Sequence, residues 1–351
     1  MKKILTLLII LLISCSAVSA FGKKKENKLD VLPLMTSQSE EDNRVWVGTF
    51  QLAWNDFMDE IIGGSVHFVG HHLKLLDELN KQAFKAEELS DSAYYKKTGA
   101  ISPELKIEME KAIKEKFNET SDILDLIDWK PGKNKFIAYA MLKKDFKFLT
   151  AFDVLKKEKF AKSKEKIGYF GINEKSDQIL RDMVIVMFYN SKDDFAVQLR
   201  TDGNDAIYIY RTNDNKTFDK LYTDMFIKQA NYVGLSKFGK KDELKIPDID
   251  MFAMKSFEEL KNKEIKGKNG MMISDAVETI EFKMNNEGVK LKSEAAIATM
   301  MSAPIIMKEE KPKKFYFDDT FVIILKEKDK NKPYFALRVK DAASLNKTAK
   351  D

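Results

Sequence analysis

Between Val277 and Ile324 the chain runs strand, tight turn, small-residue stretch and strand again. Val277-Glu278-Thr279-Ile280-Glu281-Phe282 is an apolar run, and Asn285-Asn286-Glu287-Gly288 is turn chemistry. From Val289 to Thr299 the residues alternate in kind. Val289, Leu291, Ser293, Ala295, Ile297 and Thr299 are apolar or small. Lys290, Lys292, Glu294, Ala296 and Ala298 form the other set. Successive side chains of a strand point to opposite faces, so this segment can lie as a strand with one face in a packed interior. Ser293 to Met301 is also Ala-rich with good helix propensity, which leaves an ordinary helix or strand open as well.

The chain has 351 residues, 44% of them hydrophobic, enough for a sizeable core. Its formal net charge is +5, with Lys2 and Lys3 in the first few residues. So even a balance gives no reason to expect nucleic acid as a partner. Met1 to Ala20 has the pattern of an export leader: two lysines, then an apolar stretch from Ile4 to Ile13. Leu12-Ile13-Ser14-Cys15 resembles a bacterial lipobox, in which the cysteine would carry the lipid; Val18-Ser19-Ala20 resembles an ordinary cleavage site. Cys15 is the only cysteine, so no disulfide can form within the chain. The expected location is the bacterial cell envelope through a lipid on Cys15, or the outside of the cell, with a monomer as the expected state. Membrane contact is expected only through that lipid.

Phe21 to Asn43, rich in charge and serine, reads as a flexible spacer before a body spanning 44–340, and Asp341 to Asp351 as a frayed tail. Val45 to Ile127 predicts mainly helix, with Trp46, Phe50, Trp54, Phe57 and Ile61 on one face. Ser102-Pro103-Glu104 starts a helix with Leu105, Met109, Ile113 and Phe117 on one side. Strands follow over Phe136–Leu142 and Met183–Tyr189, then a hairpin of Phe195–Leu199 and Ala206–Tyr210, and a helix carrying Phe218, Leu221, Tyr222 and Met225. Lysine and aromatic residues alternate through Lys143-Lys144-Asp145-Phe146-Lys147-Phe148, the pattern of a half-buried strand.

Taken in order, these segments resemble the serpin family. Tyr139 to Phe146 and Ala151-Phe152-Asp153 resemble its central-sheet strand and the segment after it, with Lys144 at the usual glycine and Phe146 at the usual tryptophan. Leu244 to Ile249 and Phe257 to Leu260 resemble a later strand and its short helix. Phe317 to Phe321 and Phe335 to Val339 resemble the last two strands. The resemblance covers roughly Phe136 to Val339 and implies an α+β fold, N-terminal helices packed on a large, mostly antiparallel sheet. It implies a protein that is not an enzyme and needs no cofactor. It would carry an exposed loop over 289–316, with Glu287, Gly288, Glu294, Ala295, Ala296, Ala298 and Thr299 as hinge.

In such proteins a cut loop enters the sheet as an extra strand, a switch that releases stored strain. The family places its Glu-Gly and its Glu-Ala-Ala one residue apart, whereas five residues separate Gly288 from Glu294 here. Counting from Gly288 puts the scissile bond after Ser302; counting from Thr299 puts it after Ile306, beside Met307. Both frames lie among apolar residues, so the implied partner is a serine or cysteine protease preferring apolar side chains. The rival reading is a non-inhibitory envelope lipoprotein that uses the same scaffold to bind a ligand or protein.

His67, His71 and His72 are the only histidines. His67 and His71 are four apart, as a helical metal pair requires, but Gly63, Gly64 and Gly70 argue against a helix there. No metal site is expected. Any His-dependent nucleophile would have to use this cluster, and no Gly-x-Ser-x-Gly turn exists to supply one.

Overall fold

The computed structural model describes residues 29–291 and 312–346. Its fold is α+β. Seven strands make the largest sheet, in the order Leu29–Leu32, Asn43–Val47, Phe335–Val339, Phe321–Glu327, Asp205–Arg211, Asp194–Leu199 and Val184–Ser191. All its pairs are antiparallel except the first, Leu29–Leu32 with Asn43–Val47. A second, four-stranded sheet runs Lys314–Tyr316, Glu243–Pro247, Lys166–Ile172 and Asp153–Lys159. A third contains Ile249–Ser256, Val277–Met284, Gly288–Leu291 and Lys144–Lys147, and a two-stranded ribbon pairs Tyr94–Ala100 with Phe136–Leu142. Among the described residues the strands thus fall into four sheets.

The apolar alternation explains the packing. Ile280, Phe282 and Met284 share one face of their strand, and all are buried. Phe282 stacks on Phe335 of the large sheet with ring centroids 4.5 Å apart. The helix Thr49–Asp56 buries Phe50 and Trp54 in the same core. A smaller core forms on the other side of the two-stranded ribbon. The helix Pro103–Phe117 covers it with Leu105, Met109, Ile113 and Phe117, against Ile137 and Tyr139. The Ser102 hydroxyl accepts from the Leu105 N–H at 3.2 Å, and Pro103 occupies the first turn, as its sequence predicts. The hairpin pairs Ile207 with Leu199, and the helix Phe218–Ala230 buries Phe218, Leu221 and Met225.

Four expectations need correction. Residues 29–43 are no spacer: Leu29–Leu32 is an edge strand of the large sheet, with Val31 and Leu32 buried. A short strand inside a charged segment leaves too few residues for its alternation to be seen. Nor is 341–346 frayed, because the helix Ala342–Leu345 buries Ala342, Ala343 and Leu345 under an Asp341 cap. In the first third, Trp46 lies on a strand rather than on the helix of Phe50 and Trp54, and Tyr94–Ala100 is also a strand. Lys144 is buried in phase with Phe146 and Phe148, so the lysine–aromatic alternation does not put every lysine in water. The leader, with Cys15, lies outside the described residues.

Candidate functional site

Of the expected hinge residues, Glu287 and Gly288 fall in the described part. Glu294, Ala295, Ala296, Ala298 and Thr299 lie outside the described residues, as do Ser302, Ile306 and Met307. The turn is built by its asparagines. Asn285 Oδ1 accepts from the Glu287 N–H at 2.9 Å, and the Asn285 N–H donates to Gly288 O at 3.1 Å. The Phe148 N–H donates to Glu287 O at 2.9 Å, which ties the turn to the neighbouring strand.

Gly288–Leu291 then runs antiparallel between two strands. Val289 pairs with Met284 on one side and Phe146 on the other, and Leu291 pairs with Lys144. Val289 and Leu291 are buried while Lys290 is exposed, the phase that the alternation from Val289 onward predicts. Gly288 is required by proximity: a Cβ there would stand 2.3 Å from Phe146 O. Gly288→Val should therefore push the two strands apart and cost about 1–3 kcal/mol by overpacking. Urea unfolding checks this, and a change below about 0.5 kcal/mol would show that the close approach is easily relieved.

Beyond Leu291 the two flanking strands separate. Phe136–Leu142 pairs on one side with Tyr94–Ala100, and residues 277–282 pair on one side with Ile249–Ser256. Among the described residues their other edges have no strand partner. Between these edges lies a cavity of about 660 Å³, lined inside by Phe50, Ala53, Trp54 and Phe57. The segment Thr120–Asp128 borders it from the other side. On the inner face of the 136–142 strand stand Ala138 and Ala140, whose small side chains leave the space. The groove lies beyond Leu291, the last described residue of the strand Gly288–Leu291.

Register follows from the pairs already made. By that register Leu142 lies across the groove from Ile280, and Ala140 across from Glu278. Glu278 and Ile280 lie on the buried face of their strand, in phase with Phe282 and Met284.

Two charged groups behind this groove were not singled out as functional from the sequence. Glu278, on the inner face with Ile280, is 3% exposed. Its Oε1 accepts from the Thr49 hydroxyl at 2.8 Å, at the start of the helix Thr49–Asp56, while its Oε2 has no hydrogen-bond partner. Burial pushes its carboxyl up to about 8, against the opposing pull of the Thr49 hydroxyl, the Phe50 N–H and the Lys255 charge. An acid raised in the folded state binds its proton there but not in the unfolded chain. Its stabilising contribution is full below the unfolded value near 4.5 and is lost as pH rises toward 8. Between pH 7 and pH 5 the gain is at most about 3 kcal/mol. Denaturant titrations of the wild type and Glu278→Gln should differ in slope against pH by this amount; parallel curves would refute it.

The second group is Lys144, 6% exposed beside Leu291. Its Nζ lies 2.5 Å from Glu327 Oε1 and 2.9 Å from Asp205 Oδ1. The Tyr334 hydroxyl donates to Asp205 Oδ1 at 2.8 Å, and the Ser90 N–H donates to Glu327 Oε1 at 3.0 Å. This cluster fastens the strand beside the hinge to the large sheet. Both buried charges share a sequence signal: each falls in phase with the inward apolar residues of its strand.

His67, His71 and His72 sit exposed in a loop, and His72 Nε2 lies 3.4 Å from Asp77 Oδ2. Among the described residues no group of three His, Cys, Asp or Glu side chains is placed to hold a metal ion.

No protein-family model matches the chain, and no curated protein matches it. Solved structures do. The chain is similar to Serpin48, a highly specific serpin of the insect Tenebrio molitor, at 16% identity and a TM-score of 0.48, covering 86% of this chain and 92% of that one. It is also similar to human thyroxine-binding globulin complexed with thyroxine, at 10% identity and a TM-score of 0.44, covering 87% of this chain and 77% of that one. The sequence order from Phe136 to Val339 resembles the same family.

Proposed function

We propose that this protein is an exported, serpin-like inhibitor whose segment after Leu291 is offered to a protease and, once cut, enters the 136–142/277–282 groove as a strand. The observation that carries this reading is the alignment of three things. The hinge strand is already paired on both sides, the groove continues its line, and the following residues are small or apolar where the register faces inward. Each added residue gains backbone hydrogen bonds to two unpaired edges, worth about 1 kcal/mol apiece net. The apolar residues Met300 to Met307 suit a serine or cysteine protease that accepts such side chains, with Ser302 or Ile306 donating the cut bond. A lipid on Cys15 would hold the protein at the bacterial envelope.

Incubation with an elastase-like serine protease tests the reading on a denaturing gel. A detergent-resistant band at the summed mass of inhibitor and protease is expected. Cleavage with no such band would favour the binding-protein alternative. Mass spectrometry of the exported protein decides the anchor, since a diacylated Cys15 at the N-terminus is expected and a chain beginning at Phe21 would contradict it.

A further inference from the structure

We propose that the lysine-rich end of the hairpin formed by Asp153–Lys159 and Lys166–Ile172 docks on a bilayer surface of anionic phospholipid head groups. The inference depends neither on the groove nor on a cut in the chain. Residues 156–166 hold six lysines, Lys156, Lys157, Lys159, Lys162, Lys164 and Lys166, against Glu158 and Glu165, a net +4 in a chain whose formal charge is +5. The near-even balance of the whole chain therefore conceals a concentration of charge in one place. All six lysines are exposed, and among the described residues none of them forms an ion pair. Glu158 is taken up by Lys245 at 2.9 Å, so its charge is already matched from another strand.

The hairpin end is tied to the body. Phe160 is sunk in the core, with its ring 6.1 Å from that of Phe321. The Ala161 N–H donates to Asp318 O at 2.7 Å, and the Ser163 N–H to Phe160 O at 2.8 Å. The register sets Lys159 directly opposite Lys166. Like charges facing each other across a strand pair are destabilising, and anions lying over both remove that cost. Lysines on an edge strand often serve to keep other strands away, and Asp153–Lys159 is an edge of its sheet. That role does not account for Lys162 and Lys164 between the strands, nor for Lys166 on the inner strand. Of residues 156–166 only Phe160 is buried, so the lysines cover the outside of an exposed end and form no recess for a single small anion. A plane of many phosphates fits them, each lysine meeting its own head group. Val154, 75% exposed on the same hairpin, supplies an apolar contact at the boundary of head groups and acyl chains. A dissolved polyanion would make no use of it. The contact is additional to the lipid expected on Cys15.

The test is co-sedimentation of the exported protein, carrying Cys15→Ser so that no lipid contributes, with two kinds of vesicle. One is phosphatidylcholine alone, and the other is equal parts phosphatidylcholine and phosphatidylglycerol. Each lysine near an anionic surface is worth about fivefold in partitioning. Salt weakens the attraction by shortening the screening length from about 10 Å at 0.1 M to about 3 Å at 1 M. The protein should bind the mixed vesicles at low salt, leave them at about 1 M salt, and ignore phosphatidylcholine alone. Lys159→Gln, Lys162→Gln and Lys164→Gln together should weaken binding about a hundredfold. Lys85→Gln, Lys111→Gln and Lys220→Gln together, three exposed lysines elsewhere, should change it by less than about threefold. Equal losses in the two triple variants would show that net charge alone attracts the protein, and would overturn the role of the hairpin. Capture by soluble polyphosphate without binding to the mixed vesicles would make the partner a polymer and overturn the membrane. Binding to neither would overturn the proposal outright.

Discussion

A single cut between Thr299 and Pro312 should raise the melting temperature of the protein by about 10 °C. Filling 660 Å³ of cavity at about 24 cal/mol per Å³ sets an upper limit near 16 kcal/mol. Ordering seven residues costs about 1–2 kcal/mol each. The backbone hydrogen bonds made to both edges return about as much, at about 1 kcal/mol per bond. A net gain of about 5–10 kcal/mol remains, because the groove is open to solvent and only part of the limit is realised. For a body of about 300 residues the unfolding entropy is about 0.6 kcal/mol per kelvin, which converts the gain to roughly 8–16 °C. Calorimetry before and after limited proteolysis measures it. A cut chain that melts within a degree or two of the intact one would mean that nothing enters the groove.

Lys144→Ala should be the most damaging single change near the hinge. It leaves Glu327 and Asp205 buried side by side without their cation. Removing one partner of a buried ion pair costs about 3–5 kcal/mol, because the remaining charge is uncompensated. Asp205 is already held above the usual carboxylate range, chiefly by burial. The loss should therefore shrink in acid, where Asp205 can take up a proton, and Glu327→Gln should recover part of it in the Lys144→Ala background. Chemical unfolding of the two variants at pH 7 and pH 5 gives the answer. A loss below 1 kcal/mol, or no recovery, would show that the cluster is not what fastens this strand to the large sheet.

What could be read from the sequence was what repeats with a clear period. Leu105, Met109, Ile113 and Phe117 mark their helix, and Ser102-Pro103 marks its start. The alternation from Val289 is realised in Val289, Lys290 and Leu291, including the face each one takes. The order of the expected strands after Phe136 also held, except that Phe317 to Thr320 is a bend leading into the strand Phe321–Glu327. What was hidden lacked a period long enough to see. Leu29–Leu32 is four residues long. Tyr94–Ala100 is half-buried all along, with two lysines and a glycine, so neither face stands out. Glu278 and Lys144 look like solvated charges in a chain that is one third charged. Only their phase with Ile280 and with Phe146 marks them as inward, and reading that phase demands knowing which face is covered. The groove itself was not legible at all, because a gap between two strands is a property of their placement and not of either sequence.

Cross-linking tests the central claim at the level of single residues. With Cys15 replaced by serine, Ala140→Cys is combined with Ala295→Cys, the two positions that the register sets opposite each other. Directly opposed strand residues lie within disulfide reach at about 4.5–5.5 Å between Cα atoms. After the chain is cut between Thr299 and Pro312, mild oxidation should join the two cysteines, while Ala140→Cys with Ala296→Cys should stay reduced because an inserted strand would turn residue 296 to the other face. A cut chain that forms neither bond, or both equally, would contradict the claim that this segment enters the groove in register.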